Sequence, residues 1–370
     1  MKRILIVGAG LSGCTIAERL AKYGGFDIDI IEKRNHIGGN CYDYKDDNGI
    51  LVNKYGPHLF HTSSEKVWEY IQLFSIWVPW KHKVLGNING VLFPVPVNID
   101  TVNILCGTSI QNEYEMTQWL NSNSINIKNP SNSEEVALNK VGYNLYELIF
   151  KHYTYKQWNK YPSDLDASVL QRIPVRINHD PYYFSDTYQA LPKDGYTQFI
   201  STMIQHPSIH LYLNKEFTHD MKELYDYIFY TGPIDKYYES YKLPKLEYRS
   251  LRFEYISLDM DYFQPTSQVN YTSSTEPFTR IVEYKHFLNQ PIQGKTTIVK
   301  EYSSSEGEPY YPVPNQDNQN IYKMYQELAT KEKSVYFVGR LATYKYYNMD
   351  QAILAALNLV EEFYNNNYGS

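Results

Sequence analysis

The chain has 370 residues, 43% hydrophobic and 21% charged, which suits a globular protein of more than one domain and excludes a disordered chain. A formal charge of −6 without a basic run argues against a nucleic-acid partner, and no apolar stretch is long enough to make a membrane protein of it. Three cysteines, Cys14, Cys41 and Cys106, lack CxxC or metal spacing and point to a reducing cytoplasm.

The opening RILIVGAGLSG is too short and glycine-rich for a secretory signal. Instead RILIVG (3–8) predicts a buried strand, GAGLSG supplies Gly8, Gly10 and Gly13, and TIAERLAKYG predicts a helix ended by Gly24-Gly25. FDIDIIEKR (26–34) predicts the next strand, with Glu32 at its end. In such a unit Gly8 permits the tight turn, Gly10 lets the backbone approach a pyrophosphate, and Gly13 lets helix and strand pack closely. The helix N-terminus offers free N–H groups to the phosphates, and Glu32 is placed to accept from ribose hydroxyls. GxGxxG alone is a weak signal. Between a strand and a helix, with an acid at this distance, it predicts a dinucleotide. IEKRNHIGGN (31–40) then sets Lys33-Arg34 and the loop Gly38-Gly39-Asn40 after the acid, an arrangement that favours FAD over NAD.

YGPHLFHT (55–62) places His58 and His61 three apart after a Gly-Pro turn. A metal site, a catalytic pair and a packed turn are the readings it raises, although no acidic or cysteine partner supports a metal and the spacing is not that of a helical metal pair. From 99 to 166 the pattern turns helical: IDTVNILC, EYEMTQWLNS and EEVALNKVGYNLYELIFKHYTYKQW, separated by Ser/Asn-rich loops. VLFPVPVN (91–98), YYFSDTYQALP (182–192), YRSLRFEYISLDM (248–260) and TTIVKEYS (296–303) predict strands. PSIHLYLN and YDYIFYTGP resume short strands of the nucleotide-binding sheet, and residues 335–364 predict a strand, a loop and a long amphipathic helix. The interleaved order predicts an α/β + α + β protein. Its 38 tyrosines mostly reflect compositional bias, and a tyrosine-lined pocket requires particular ones to stand beside other site residues.

Along nearly the whole chain, GAGLSG, IEKRNHIGGN, KYGPHLFHT, YTYKQW, RIPVR, YFSDTYQALP, GYT, YTGPID, EYRSLRFE, FTRIVEYKHF, EPYYPV and GRLATYKYYNMDQAI resemble, in order, the motifs of the bacterial UDP-galactopyranose mutase family. The resemblance implies a discontinuous FAD-binding Rossmann-like domain (1–76, 193–245, 314–370), a helical domain (99–166) and an antiparallel β-sheet domain (77–98, 167–192, 246–313). It implies interconversion of UDP-galactopyranose and UDP-galactofuranose through an adduct of the sugar with N5 of the reduced flavin, with no net redox change.

For the diphosphate, the resemblance implies Arg172 and Arg280 as essential arginines and Arg249 as a third. Tyr311 and Tyr346 match tyrosines that grip the diphosphate. Tyr153 and Trp158 match the uridine wall and mobile loop, Tyr183 belongs to the same region, and Phe150 either stacks on uracil or packs the core. His61 matches a histidine near the flavin carbonyl edge and the sugar, while His58 lies beside the ring or serves structurally. Arg340 matches a cofactor-contacting arginine, and Met349 starts the last helix, whose N-terminus can face the cofactor. The family has aspartate where this chain has Asn348, which keeps capping and hydrogen bonding and drops the charge. A homodimer and an external reductant such as NAD(P)H are further implications. Asn348 and the surroundings of Leu59 and His82 leave open a sister mutase acting on UDP-N-acetylgalactosamine or dTDP-fucose. A flavin oxidoreductase of the amine-oxidase type and a non-enzymatic binder on the same fold are the alternatives of other classes.

Overall fold

A computed structural model describes residues 1–368. Ile4, Leu5 and Ile6 are fully buried, and they make β1 (Lys2–Val7) the centre of a five-stranded parallel sheet. Its order is Ile209–Leu213, β2 (Phe26–Glu32), β1, Tyr227–Tyr230 and Val335–Phe337. The sheet therefore gathers strands from three separated stretches of the chain, as the interleaved pattern predicts. α1 (Leu11–Tyr23) joins β1 to β2 and packs on the C-terminal helix Met349–Tyr368. It starts earlier than the periodicity suggests, directly after Gly10.

A second sheet has seven strands in the order Tyr311–Pro312, Tyr248–Leu258, Thr296–Ser304, Arg280–Glu283, Gln268–Tyr271, Val84–Ile88 and Val91–Val95. Neighbours are antiparallel except Gln268–Tyr271 and Val84–Ile88, which pair in parallel. A parallel pair needs a long crossover, and here the chain between these strands includes the whole helical region. Four of the seven strands are short or lack clear alternation, so their sequences alone do not reveal them.

The helical region holds Ile99–Cys106, Glu113–Asn123 and Ser133–Leu145, then a π-helical stretch Tyr146–Lys151 and the helix His152–Trp158. Asn98, Asn112 and Asn132 cap the first three, each accepting from a backbone N–H three residues on. The long helix predicted up to Trp158 is interrupted at Gly142, where φ is +76°. A Cβ there would lie 2.0 Å from the Asn123 carbonyl oxygen, so only glycine lets this helix pass the end of its neighbour. The strand predicted over 182–192 forms only at Tyr188–Pro192. Residues 184 and 186 turn toward His61 instead of continuing a ladder. Among the described residues no helix is long and apolar enough to cross a membrane.

Candidate active site

A cleft of about 1210 Å³ lies at the carboxyl ends of the parallel strands. Val7 and Gly8 reach it from β1, Glu32 from β2, and Lys215, Thr231 and Gly339 from the other three strand ends. Its shape follows from backbone contacts that tolerate no side chain. A Cβ on Gly13 would stand 2.0 Å from the Gly8 carbonyl oxygen, and one on Gly39 would stand 3.0 Å from the Gly10 Cα. The two glycine loops thus touch and form a narrow floor. Among the described residues no side chain caps the N-terminus of α1, which leaves its first N–H groups for an anion.

Glu32 is buried, with one oxygen accepting from the Ala9 N–H at 3.0 Å and the other from the Arg34 N–H at 2.9 Å. Both bonds aim its carboxylate at the cleft wall. Lys33 reaches Glu308, while the Arg34 guanidinium donates to Asn40 at 3.1 Å and lies over the Tyr55 ring. At the far end, the His58 Nδ1 is 2.9 Å from the Gly56 carbonyl. Burial, reinforced by Arg340, lowers the His58 pKa to about 4, so the ring is neutral at pH 7. Cys41 lies 3.7 Å from the Met349 sulfur, and burial pushes its thiol up to about 12. Asn348 opens the C-terminal helix: its carbonyl accepts from the Ala352 N–H, and its own N–H donates to Gln351 Oε1 at 2.9 Å. All eleven residues read from the sequence as cofactor contacts, including Gly8, Gly10 and Asn348, line this one cleft.

Arg340 links the cleft to a second cluster. Its guanidinium donates to the Tyr310 and Tyr347 carbonyls and lies 5.3 Å from the Tyr311 ring centre and 5.2 Å from that of Tyr346. The Tyr311 and Tyr346 rings are 5.2 Å apart, with Trp158 at 6.5 and 6.0 Å from them. Arg172 stacks on Tyr346 at 4.2 Å. Burial pushes the Tyr346 phenol up, but Arg172, Arg340 and Arg280 outweigh it and hold the phenol below its ordinary value. Arg280 Nε stands 3.4 Å from Glu301 without hydrogen-bond geometry, the two residues being opposite each other in the sheet register. Tyr153 and Tyr183 stand close enough to Arg280 to feel its charge. Burial, the largest influence, raises the Tyr153 phenol. Three guanidiniums therefore share a mostly buried aromatic niche with a single carboxylate, an arrangement suited to a compact polyanion.

Other residues read from the sequence sit differently. Arg249 is 3% exposed and lines the cleft, and three of its five N–H groups donate to the Gln157 carbonyl, Ser305 and Ser303. These bonds tie it to the chain just before Trp158. Phe150 is buried in the helical core cluster that also includes Trp158 and against which Tyr311 and Tyr346 pack. His61 is not among the residues lining the cleft; its Nδ1 is 2.8 Å from Asp186 and its ring stacks on Phe184 at 3.7 Å.

Sequence reasoning missed several partners. Asp186 and Phe184 were present in the YFSD motif but carried no distinguishing signal. Glu301 lies in an ordinary strand pattern. Arg176, the second arginine of RIPVR, is paired with Asp180 at 3.0 Å and donates to the Tyr182 carbonyl. His82 is 2% exposed, and neither ring nitrogen meets hydrogen-bond geometry among the described residues, although Gln268 faces it. Burial lowers its pKa to about 3, with Arg280 and His61 adding to the effect.

A family profile described as UDP-galactopyranose mutase matches residues 148–346, and one described as an NAD(P)-binding Rossmann-like domain matches residues 6–74. A probable UDP-galactopyranose mutase of Klebsiella pneumoniae is 40% identical over 98% of this chain and 94% of its own length. The dTDP-fucopyranose mutase of Escherichia coli is 36% identical over 99% of this chain and all of its own. A UDP-galactopyranose mutase of Mycoplasma genitalium is 32% identical over 97% of this chain and 94% of its own. A crystal structure of reduced UDP-galactopyranose mutase superposes with a TM-score of 0.80 over 100% of this chain and 96% of that one. Its identity is 17%, so that likeness concerns the fold.

Proposed function

The chain belongs to the UDP-galactopyranose mutase family, and on that premise we propose that it interconverts UDP-galactopyranose and UDP-galactofuranose, using reduced FAD without net redox change. The observation that carries this reading is the convergence of Arg172, Arg280 and Arg340 on Tyr311 and Tyr346 beside the dinucleotide cleft. Ring contraction requires the anomeric bond to the diphosphate to break and re-form. A leaving diphosphate concentrates negative charge, and guanidiniums fixed in a niche that excludes water stabilise it without reorganising.

The cleft fits FAD. The uncapped α1 N-terminus and the Gly10–Gly39 floor suit the pyrophosphate, and Glu32 suits the ribose. Gly39, His58, Arg340 and Met349, which line the cleft, would hold the flavin end. Reduced FAD bound here would supply a nucleophile for the anomeric carbon. Arg172 and Arg280 keep the diphosphate in place for recapture, and the Tyr311 and Tyr346 phenols donate to its oxygens. Tyr153, Trp158 and Tyr183 hold the uridine. Asp186 fixes His61 so that Nε2 remains for a sugar hydroxyl. The family resemblance supports a cytoplasmic homodimer that draws electrons from an external reductant such as NAD(P)H.

A second reading is favoured by the full-length likeness to dTDP-fucopyranose mutase, namely the same ring contraction on a dTDP-linked deoxyhexose. The test is product analysis. Purified yellow protein is incubated with UDP-galactopyranose or dTDP-fucopyranose, with and without dithionite, and the nucleotide sugars are separated by chromatography. UDP-galactofuranose formed only under reduction is the expected result. Conversion of the dTDP sugar alone would move the assignment to the second reading. A flavin that reduces normally, with neither sugar converted, would overturn both.

A further inference from the structure

On either side of the Gly142 break, the helical segments between Ser133 and Trp158 each carry a partly buried lysine whose ammonium bonds to carbonyls rather than carboxylates. Lys140 Nζ donates to the carbonyls of Leu170 (3.1 Å), Gln171 (2.7 Å) and Ile173 (2.7 Å), which flank Arg172 on both sides. Lys156 Nζ donates to the carbonyls of Tyr271 (2.6 Å), Glu276 (3.1 Å) and Phe278 (3.0 Å), on the connection that leads into Arg280. Each ammonium has three N–H groups and uses one per carbonyl.

Burying an ammonium among neutral acceptors is unfavourable, and both groups show it. Burial lowers the Lys140 pKa, and it lowers that of Lys156 to about 8 against the pull of Glu276. The two arginines stand at the ends of short elements, the Arg280 strand being paired on both sides within the seven-stranded sheet. Arg172 follows the four-residue helix Ser168–Gln171, and Arg280 begins a strand of four residues.

We propose that Lys140 and Lys156 are positioning residues that hold Arg172 and Arg280 for a diphosphate, Lys140 from the helical segment before the Gly142 break and Lys156 from the helix His152–Trp158 after it. That second helix also bears Tyr153 and Trp158, so the uridine wall and Arg280 are referenced to the same short element. The proposal rests on the reading of both arginines as diphosphate ligands.

The test is calorimetric titration of the purified holoprotein with UDP, together with steady-state kinetics. Lys140→Met and Lys156→Met are each expected to weaken UDP binding about tenfold and raise KM in proportion, with kcat within about threefold of the parent. Lys140→Met should add nothing in an Arg172→Ala background, and Lys156→Met nothing in Arg280→Ala. Lys140→Gln and Lys156→Gln, which keep two N–H donors each, should fall between parent and methionine variant, and they serve if the methionine variants do not fold. Effects fully additive with the arginine deletions would overturn the positioning role. So would a lowered Tm with unchanged UDP affinity. If Arg172→Ala and Arg280→Ala bind UDP like the parent, the arginine reading itself fails and the lysine roles fall with it.

Discussion

Arg280 faces Glu301 across two strands at 3.4 Å, yet the pair lacks hydrogen-bond geometry. A guanidinium with one poorly aligned partner keeps donors for an incoming anion. Arg280→Ala and Arg172→Ala are each expected to lower kcat/KM by about 100-fold or more while the flavin stays bound. Initial rates under dithionite and the flavin-to-protein absorbance ratio check this, and a colourless Arg280→Ala protein would mark that arginine as structural. The buried histidines give a pH dependence of stability. Burial holds His58 near pKa 4 and His82 near 3, against an ordinary value of 6.5. Below about pH 6.5 the unfolded chain binds protons that the folded protein refuses, so stability is full above that pH and is lost as pH falls toward 4. The urea midpoint should therefore be lower at pH 5 than at pH 7.5. His82→Phe, which places a ring among Tyr183, Phe184 and Phe287, should flatten the change. Equal midpoints at the two pH values would contradict the buried, neutral state of both rings.

At the scale of elements, two glycines do different work. Gly13 lets α1 lie directly on the Gly8 turn, and Gly142 lets Ser133–Leu145 pass the end of Glu113–Asn123. Gly13→Ala would push the helix off the turn, so the purified protein is expected to contain little flavin. Gly142→Ala adds a side chain at positive φ against a backbone oxygen, and should destabilise by about 2 kcal/mol or more. Its flavin content should match the parent, since the helical region contributes nothing to the cleft wall. Absorbance spectra and denaturant titrations of the two variants separate these outcomes. The elements most legible in the sequence were those with strong local rules: the strand–glycine–helix–strand opening and the long C-terminal helix. Arg280–Glu283 and Gln268–Tyr271 were not legible, because four residues carry too little periodicity and their strand state depends on partners elsewhere in the chain.

At the scale of the molecule, the cleft is lined by residues running from Val7 to Ala352, drawn from segments far apart in the chain. A cofactor held there ties these segments together only in the folded state. Holoprotein should therefore melt above protein stripped of FAD, with linkage of about 4 kcal/mol when free FAD is a thousandfold above its Kd. Scanning calorimetry of stripped and refilled protein measures it, and an unchanged Tm would show that the cleft is not where FAD binds.

The residues alone specified the dinucleotide unit and the order of the layers. Gly8, Gly10, Gly13 and Glu32 act through steric and hydrogen-bonding rules that operate within a few tens of residues, and such rules are written in the local sequence. The motifs also named Arg172, Arg280, Tyr311 and Tyr346, although nothing local says that these four meet. Only the folded chain pairs His61 with Asp186 and Arg280 with Glu301, and only it directs Lys140 at the carbonyls around Arg172 and Arg249 at Ser303 and Ser305. Each of these contacts joins segments brought together by sheet register or helix packing. An ordinary Lys, Asp or Glu carries no mark of its partner until burial removes the water that would otherwise satisfy it.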